Sequence, residues 1–263
     1  MLFLSPGITM YILTLAFILG AIFASFLGCM GWRIVKGESV VKGRSHCDSC
    51  GHTLSWRDLI PIISYLARKG RCAYCKAPIP RSSLYGEIIL AVAFVLTTIR
   101  FDLSLELILM LVFICILYLV SITDMYDRMI PDSALLVGIV VRIIYFVFVE
   151  QFTVKGALIL LANGLSISLP MLILVLIMEK ILKKEAMGGG DIKLIFVIGL
   201  FIGWEKSLLM LFVACIIGII AGYTQMRKNE ENYIAFGPFL AVAAVVVMLI
   251  GDGLIGWYLS LFL

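Results

Sequence analysis

Eight apolar stretches, each near the length that crosses a lipid bilayer, constrain this chain more than any other feature. They run roughly over 9–32, 84–99, 103–122, 133–150, 155–182, 190–203, 206–224 and 234–251. A helix rises about 1.5 Å per residue, so about 20 apolar residues span the hydrocarbon layer. The sixth stretch is short and begins in glycines, and the fifth contains Asn163 and Pro170, where a kink is expected. Of the 263 residues, 62% are apolar and 14% charged, against roughly 45–50% and about 25% in soluble domains. That leaves too little polar surface to coat a water-soluble globule, so lipid must be the main solvent. The expected fold class is therefore an all-α polytopic membrane protein of about eight transmembrane helices. The first stretch lacks a basic leader segment and is followed by a basic one, so it reads as a retained span rather than a cleaved signal.

The basic residues orient these spans. Seventeen of the 21 lysines and arginines fall in one set of loops, including Lys184, Arg227 and Lys228. Only Arg100, Lys155 and Lys206 fall in the other, and Arg142 lies within a span. Positive charge accumulates on the cytoplasmic side, which puts both termini outside and the loop 33–83 in the cytoplasm, as expected of a chain in a membrane of the inner, cytoplasmic type. A net charge of +4, spread this way, records topology rather than a nucleic-acid surface. Membrane lipid is the expected partner and nucleic acid is not. Asp252, between Gly251 and Gly253, reads as an outer-surface turn, with the tail from Gly253 lying along that surface. The domains expected are a first transmembrane helix over 1–32, a cytoplasmic cysteine loop over 33–83 and a transmembrane core over 84–263.

The loop 33–83 holds Cys47-Asp48-Ser49-Cys50 and Cys72-Ala73-Tyr74-Cys75. Two such pairs bring four thiolates to one tetrahedral Zn²⁺, a zinc-ribbon-like insert with no open coordination position. A loop of this size cannot bury enough core to fold alone, so the metal would be structural. His46 and His52 flank the first pair and are alternative ligands. Cys29, Cys115 and Cys215 lie in spans and read as packing residues.

Two carboxylates stand at the same cytoplasmic boundary. Asp124 closes the third span, and Asp191 opens the sixth after Gly188, Gly189 and Gly190. Carboxylates at membrane depth point to function. Two of them about 3 Å apart share one proton, so one takes a proton from water while the other donates to a peptide carbonyl. The glycines would admit a substrate backbone, and the α-helix dipole at Asp191 favours its ionised form. Asp127 and Asp132 occupy the same short loop as Asp124, and residue type alone does not separate them. Lys193 reads either as a group facing an acidic substrate residue or as an interface anchor. Arg142, mid-span, reads as a structural bundle contact, with Glu87 or a backbone carbonyl as candidate partners, ahead of a direct catalytic role.

These residues resemble the type IV prepilin peptidase family, also called leader peptidase/N-methyltransferase, of GxGD-type intramembrane aspartyl proteases. Asp124 stands seven residues before Pro131-Asp132, and Gly188-Gly189-Gly190-Asp191 is followed by Lys193. Leu54-Ser55-Trp56-Arg57-Asp58, Ile60-Pro61, Ser64-Tyr65, Gly70-Arg71-Cys72 and Ile79-Pro80 match the family's cysteine module, and Glu87 matches its glutamate entering the second span. The resemblance implies an aspartic endopeptidase that removes the short basic leader of a prepilin or pseudopilin on the cytoplasmic side. Asp124 and Asp191 would be catalytic, and in many members S-adenosylmethionine methylates the new N-terminus. Two stretches depart from the family pattern. Ala24-Ser25-Phe26-Leu27-Gly28 replaces Gly-Ser-Phe-Leu-Asn, and Ser82-Ser83-Leu84 replaces Arg-Tyr-Pro; both lie by the module linked with methyl transfer. Two other classes fit the bare pattern. A transporter would carry protons on its intramembrane carboxylates, and a zinc-module scaffold would tolerate losing both aspartates.

Overall fold

The computed structural model describes residues 5–183, 187–226 and 235–261. Lys184, Arg227 and Lys228, which enter the charge bias above, lie outside them. Nine α-helices occur among the described residues: α1 Pro6–Val35, α2 Ile63–Ala67, α3 Arg81–Phe101, α4 Leu105–Asp127, α5 Asp132–Phe148, α6 Val154–Leu182, α7 Gly189–Ile202, α8 Trp204–Met226 and α9 Gly237–Leu259. Six of these, α1, α3, α4, α6, α8 and α9, are long and apolar enough to cross a membrane. The β structure among the described residues is two isolated bridges. The chain is a multi-pass, all-α membrane protein with a small cysteine insert.

Among the described residues each of the eight apolar stretches holds one helix, but α5 has 17 residues and α7 only 14. The end of the chain differs from expectation. α9 runs unbroken through Gly251, Asp252 and Gly253 to Leu259, so Asp252 lies in a helix and not in a turn. Lys206 at the start of α8 reaches its carboxylate at 2.8 Å, which lets the helix carry that charge past two glycines. α6 likewise continues through Pro170.

The chain divides into two compact units, Met1–Ile122 and Thr123–Leu263. In the first, α1 carries the small buried residues Ala16, Gly20, Ala24 and Gly31 with Leu27; Gly20 lies against Leu90, Ala91 and Phe94 of α3, and Gly31 against Leu119 and Ile122 of α4. Small residues let helix backbones approach closely in lipid, where packing rather than the hydrophobic effect drives association. α3 answers with Leu90, Ala91 and Phe94, and its Thr97 and Thr98 hydroxyls return to their own helix at Ala93 and Phe94 carbonyls. Asp58 fastens the insert. It accepts from the Ser55 hydroxyl and backbone N–H at 2.7 Å, from Tyr74 at 3.2 Å, and pairs with Arg68. The Ser55 hydroxyl above all, with its backbone N–H and Arg68, holds the Asp58 carboxyl down at about 2 against the opposing effect of burial.

In the second unit α7 is the core. Leu194, Ile195, Val197, Ile198, Leu200 and Phe201 are buried, and α5, α6, α8 and α9 all pack on it. A helix covered on every side need not match the bilayer thickness, which explains a length near 21 Å at 1.5 Å per residue. Arg142 of α5 is buried here. Its Nε donates to the Leu200 carbonyl near the end of α7 at 2.8 Å, and it pairs with Glu150 at 2.9 Å. A backbone carbonyl and Glu150, not Glu87, are therefore its partners.

Candidate active site

Several polar side chains cluster at the end of α4 and just beyond it, and burial separates them. Asp124 is 6% exposed, whereas Asp127 and Arg128 are exposed, as is Asp132 beyond Pro131. The same helix that buries Leu117 and Val120 turns Asp124 inward. Asp124 Oδ2 accepts the Gly237 N–H at 2.9 Å. Gly237 is the first residue of α9, so its N–H is one of the donors that a helix start leaves without an intrahelical partner. The carboxylate satisfies that donor, and the donor fixes one carboxylate oxygen. A side chain at Gly237 would stand 2.7 Å from Asp124 Oδ2, so only glycine admits this approach.

Asp191 sits in the first turn of α7, and its carboxylate and that of Asp124 are within electrostatic range of each other. Arg128 also acts electrostatically on Asp124. Asp191 Oδ1 is buried without a hydrogen-bond partner, a state that polar atoms rarely keep unless they serve chemistry or hold water. The glycines before it are not equivalent. A Cβ on Gly190 would meet Ile130 Cβ at 3.0 Å, so Gly190 lets the start of α7 close on the loop that follows Asp124. Gly189 has nothing within 4 Å of its added Cβ and remains open. Lys193 pairs with Asp132 at 2.8 Å, both side chains exposed. The pair stands at one end of an apolar groove of about 490 Å³ lined by Leu136, Ile139, Leu169 and Phe196 of α5, α6 and α7. The site thus holds one carboxylate with an oxygen fixed by an N–H donor and a second with a buried oxygen that has no hydrogen-bond partner.

The four cysteines of the insert converge. Their ligand atoms lie within 4.8 Å of one another, and Cys47 Sγ is 3.8 Å from Cys75 Sγ. Zn–S bonds of about 2.3 Å in a tetrahedron separate sulfurs by about 3.8 Å, so Cys47, Cys50, Cys72 and Cys75 fit zinc. Each pair is folded by the same hydrogen bonds. Cys47 N–H donates to the His52 carbonyl and Cys72 N–H to the Ala77 carbonyl, while Gly51 and Lys76 N–H groups donate back to Cys47 and Cys72 carbonyls. His52 stacks on Tyr74 at 3.6 Å between centroids, and His46 Nδ1 lies 3.4 Å from the Arg44 carbonyl, so neither histidine takes part in the cluster.

Comparison with known proteins places this geometry. Residues 18–101 match the family model of the bacterial peptidase A24 N-terminal domain, and residues 111–223 match that of the type IV leader peptidase family. A prepilin leader peptidase/N-methyltransferase of Bacillus subtilis (strain 168) is 32% identical over 257 residues, covering 95% of this chain and 98% of the relative. The chain belongs to the type IV leader peptidase family. A family member of Pseudomonas putida, with the same name, is 27% identical over 92% of both chains. Another, of Myxococcus xanthus (strain DK1622), is 30% identical over 78% of this chain and 61% of its own length. No solved structure gives a significant match. The four cysteines fall within the first matched region and both aspartates within the second leader peptidase region, while Gly237 lies beyond either. Sequence reading missed Gly237. The available signal was Gly237-Pro238 opening an apolar run, a glycine whose N–H has no helical partner followed by a proline suited to a first turn.

Proposed function

We propose that this leader peptidase family member is a membrane aspartyl endopeptidase that removes the leader of type IV prepilins or pseudopilins at the cytoplasmic face of the bacterial cytoplasmic membrane, with Asp124 and Asp191 as its catalytic pair. The observation that supports the assignment is that the Asp124 carboxylate acts electrostatically on Asp191, the first gripped by the Gly237 N–H and the second with an unpartnered buried oxygen. In this reading the pair carries one proton, placed on Asp191 before water attacks. Asp124 takes a proton from water as the water oxygen attacks the scissile carbonyl. Asp191 gives its proton to the carbonyl oxygen. The tetrahedral intermediate then collapses: the C–N bond breaks, the leaving amine takes the proton held on Asp124, and one hydroxyl of the intermediate returns its proton to Asp191 as the carboxyl product forms. Gly188 and Gly189 leave room for the substrate backbone. The apolar groove beside Lys193 suits the apolar helix of a pilin-like substrate, which is itself membrane-bound.

Zinc held by Cys47, Cys50, Cys72 and Cys75 supplies folding free energy to the loop 33–83 and no catalysis, since four protein ligands close its coordination. Peptide hydrolysis belongs to the transmembrane core within 84–263. N-methylation of the new N-terminus, the second activity in the relatives' name, would draw its methyl group from S-adenosylmethionine. Neither apolar groove of the second unit fits that charged nucleoside.

The test is cleavage of a purified prepilin by the full chain in detergent. Asp124→Asn and Asp191→Asn are each expected to lose cleavage while keeping the wild-type melting temperature within a few degrees. Cleavage retained by either variant would overturn the pair as the catalytic machinery. Proton or metal-ion flux into vesicles, with no cleavage by the parent chain, would favour a transporter.

A further inference from the structure

The insert between α1 and α3 does not simply hang in water. Ile62 N–H donates to Glu87 Oε2 at 2.6 Å. Glu87 is buried, is the seventh residue of α3, and is also hydrogen-bonded to the Ser25 side chain of α1. At 1.5 Å per residue, Glu87 lies about 9 Å along α3 from its first residue, and Ser25 about 15 Å back from the end of α1. α3 itself, with 21 residues, is about as long as a hydrocarbon layer is thick. The loop therefore descends beside the two spanning helices to the depth of their inner turns before it climbs out through the second cysteine pair.

The backbone at this lowest point is strained. Ile62 has φ 61° and ψ −54°, a conformation β-branched residues rarely adopt, and Ile63 N–H closes a tight turn on the Pro61 carbonyl. Such strain persists where surrounding contacts over-determine it, and here the Glu87 carboxylate is that contact. Immediately after the turn comes α2, with Ile63 65% exposed and Leu66 60% exposed, one helical turn apart. Leu59 just before the turn is exposed as well, and Trp56, stacked under Arg57, is 70% exposed. Arg57, Lys69 and Arg71, close to these residues along the chain, are exposed, whereas Arg68 pairs with Asp58.

We propose that Leu59, Ile63 and Leu66, with Trp56 beside them, form a membrane-docking surface that inserts into the headgroup–acyl boundary of an anionic lipid leaflet, so that the cysteine module is moored flat on the bilayer. Three observations select lipid as the occupant. The surface is tied at the depth of the spans, it is apolar where lipid begins, and it has exposed basic residues close by in the chain to meet anionic headgroups. Tryptophan at this level fits the interfacial belt of membrane proteins. The inference rests on the spanning helices and not on the peptidase reading.

The experiment uses the unsubstituted full chain in vesicles of phosphatidylethanolamine and phosphatidylglycerol, part of the latter carrying a diazirine on its acyl chain. After irradiation, peptides are mapped for lipid adducts. Labelling over 59–67 is expected at a level comparable with that over Ile88 and Ile89, exposed on α3, and well above that at Val41, which is 88% exposed elsewhere in the loop. Hydroxyl-radical footprinting in the same vesicles should leave Ile63 and Leu66 protected. Oxidation of both without lipid adducts would place the face in water, and protection without adducts would place it under protein; either result overturns the proposal. Exchanging phosphatidylglycerol for phosphatidylcholine as the host lipid should lower the labelling over 59–67 and leave that over Ile88 and Ile89 unchanged. Equal labelling in both lipids would overturn the role given to the basic residues.

Discussion

Gly237→Ala is the most informative single substitution. The backbone of Gly237 is ordinary right-handed helix, so alanine costs nothing in conformation and, as the stronger helix former, favours α9 by up to about 1 kcal/mol. The whole penalty comes from one contact. The new Cβ would lie 2.7 Å from Asp124 Oδ2 and 3.1 Å from its Cγ, where ordinary contact begins at 3.4 Å, so Asp124 or α9 must move by roughly 0.7 Å. That movement stretches or breaks the 2.9 Å bond from the Gly237 N–H. A hydrogen bond to a charged acceptor contributes about 1.5–3 kcal/mol, and each 1.4 kcal/mol is tenfold in rate. A displacement approaching 1 Å at a reacting group independently costs on the order of 100-fold. The variant should therefore cleave prepilin with kcat/KM about 10- to 100-fold below the parent, with a melting temperature equal to or above it. Wild-type kcat/KM in a folded Gly237→Ala chain would refute the claim that this amide sets the working position of Asp124.

Other substitutions separate packing from chemistry. Gly190→Ala should lower the melting temperature through its 3.0 Å contact with Ile130, whereas Gly189→Ala, with open space around the added methyl, should leave it unchanged and lower kcat/KM only by obstructing substrate. Lys193→Ala removes an exposed ion pair worth less than about 1 kcal/mol, so an unchanged melting temperature with a raised KM would mark Lys193 as a substrate contact. Arg142→Met strands the Leu200 carbonyl and Glu150, and thermal unfolding should show a loss of about 1.5–3 kcal/mol. Metal analysis of the purified chain should find one zinc per chain. Cys72→Ser should lose it and open the insert to proteolysis.

What sequence conveys here follows how far each decision reaches along the chain. The spans are local facts of hydropathy, and the four-cysteine cluster follows from two short spacings, so both were readable directly. Asp124 against Asp127 and Asp132 turns on helical phase at the end of α4, and three residues of drift would have chosen another carboxylate. Only burial decides it. The donor on Asp124 comes from a glycine 113 residues away, and the ion pair that carries α9 through Asp252 from a lysine 46 residues away; no window along the sequence contains either. α7 is the instructive middle case. Its 14 residues are too few to cross a bilayer, yet from Ile192 to Ile202 only Lys193 is charged. A short helix without a polar face is stable in a membrane protein only when other helices surround it. Its brevity and uniform apolarity thus already implied a central position, and hence that the carboxylate at its first turn would be held among neighbouring helices rather than exposed to lipid.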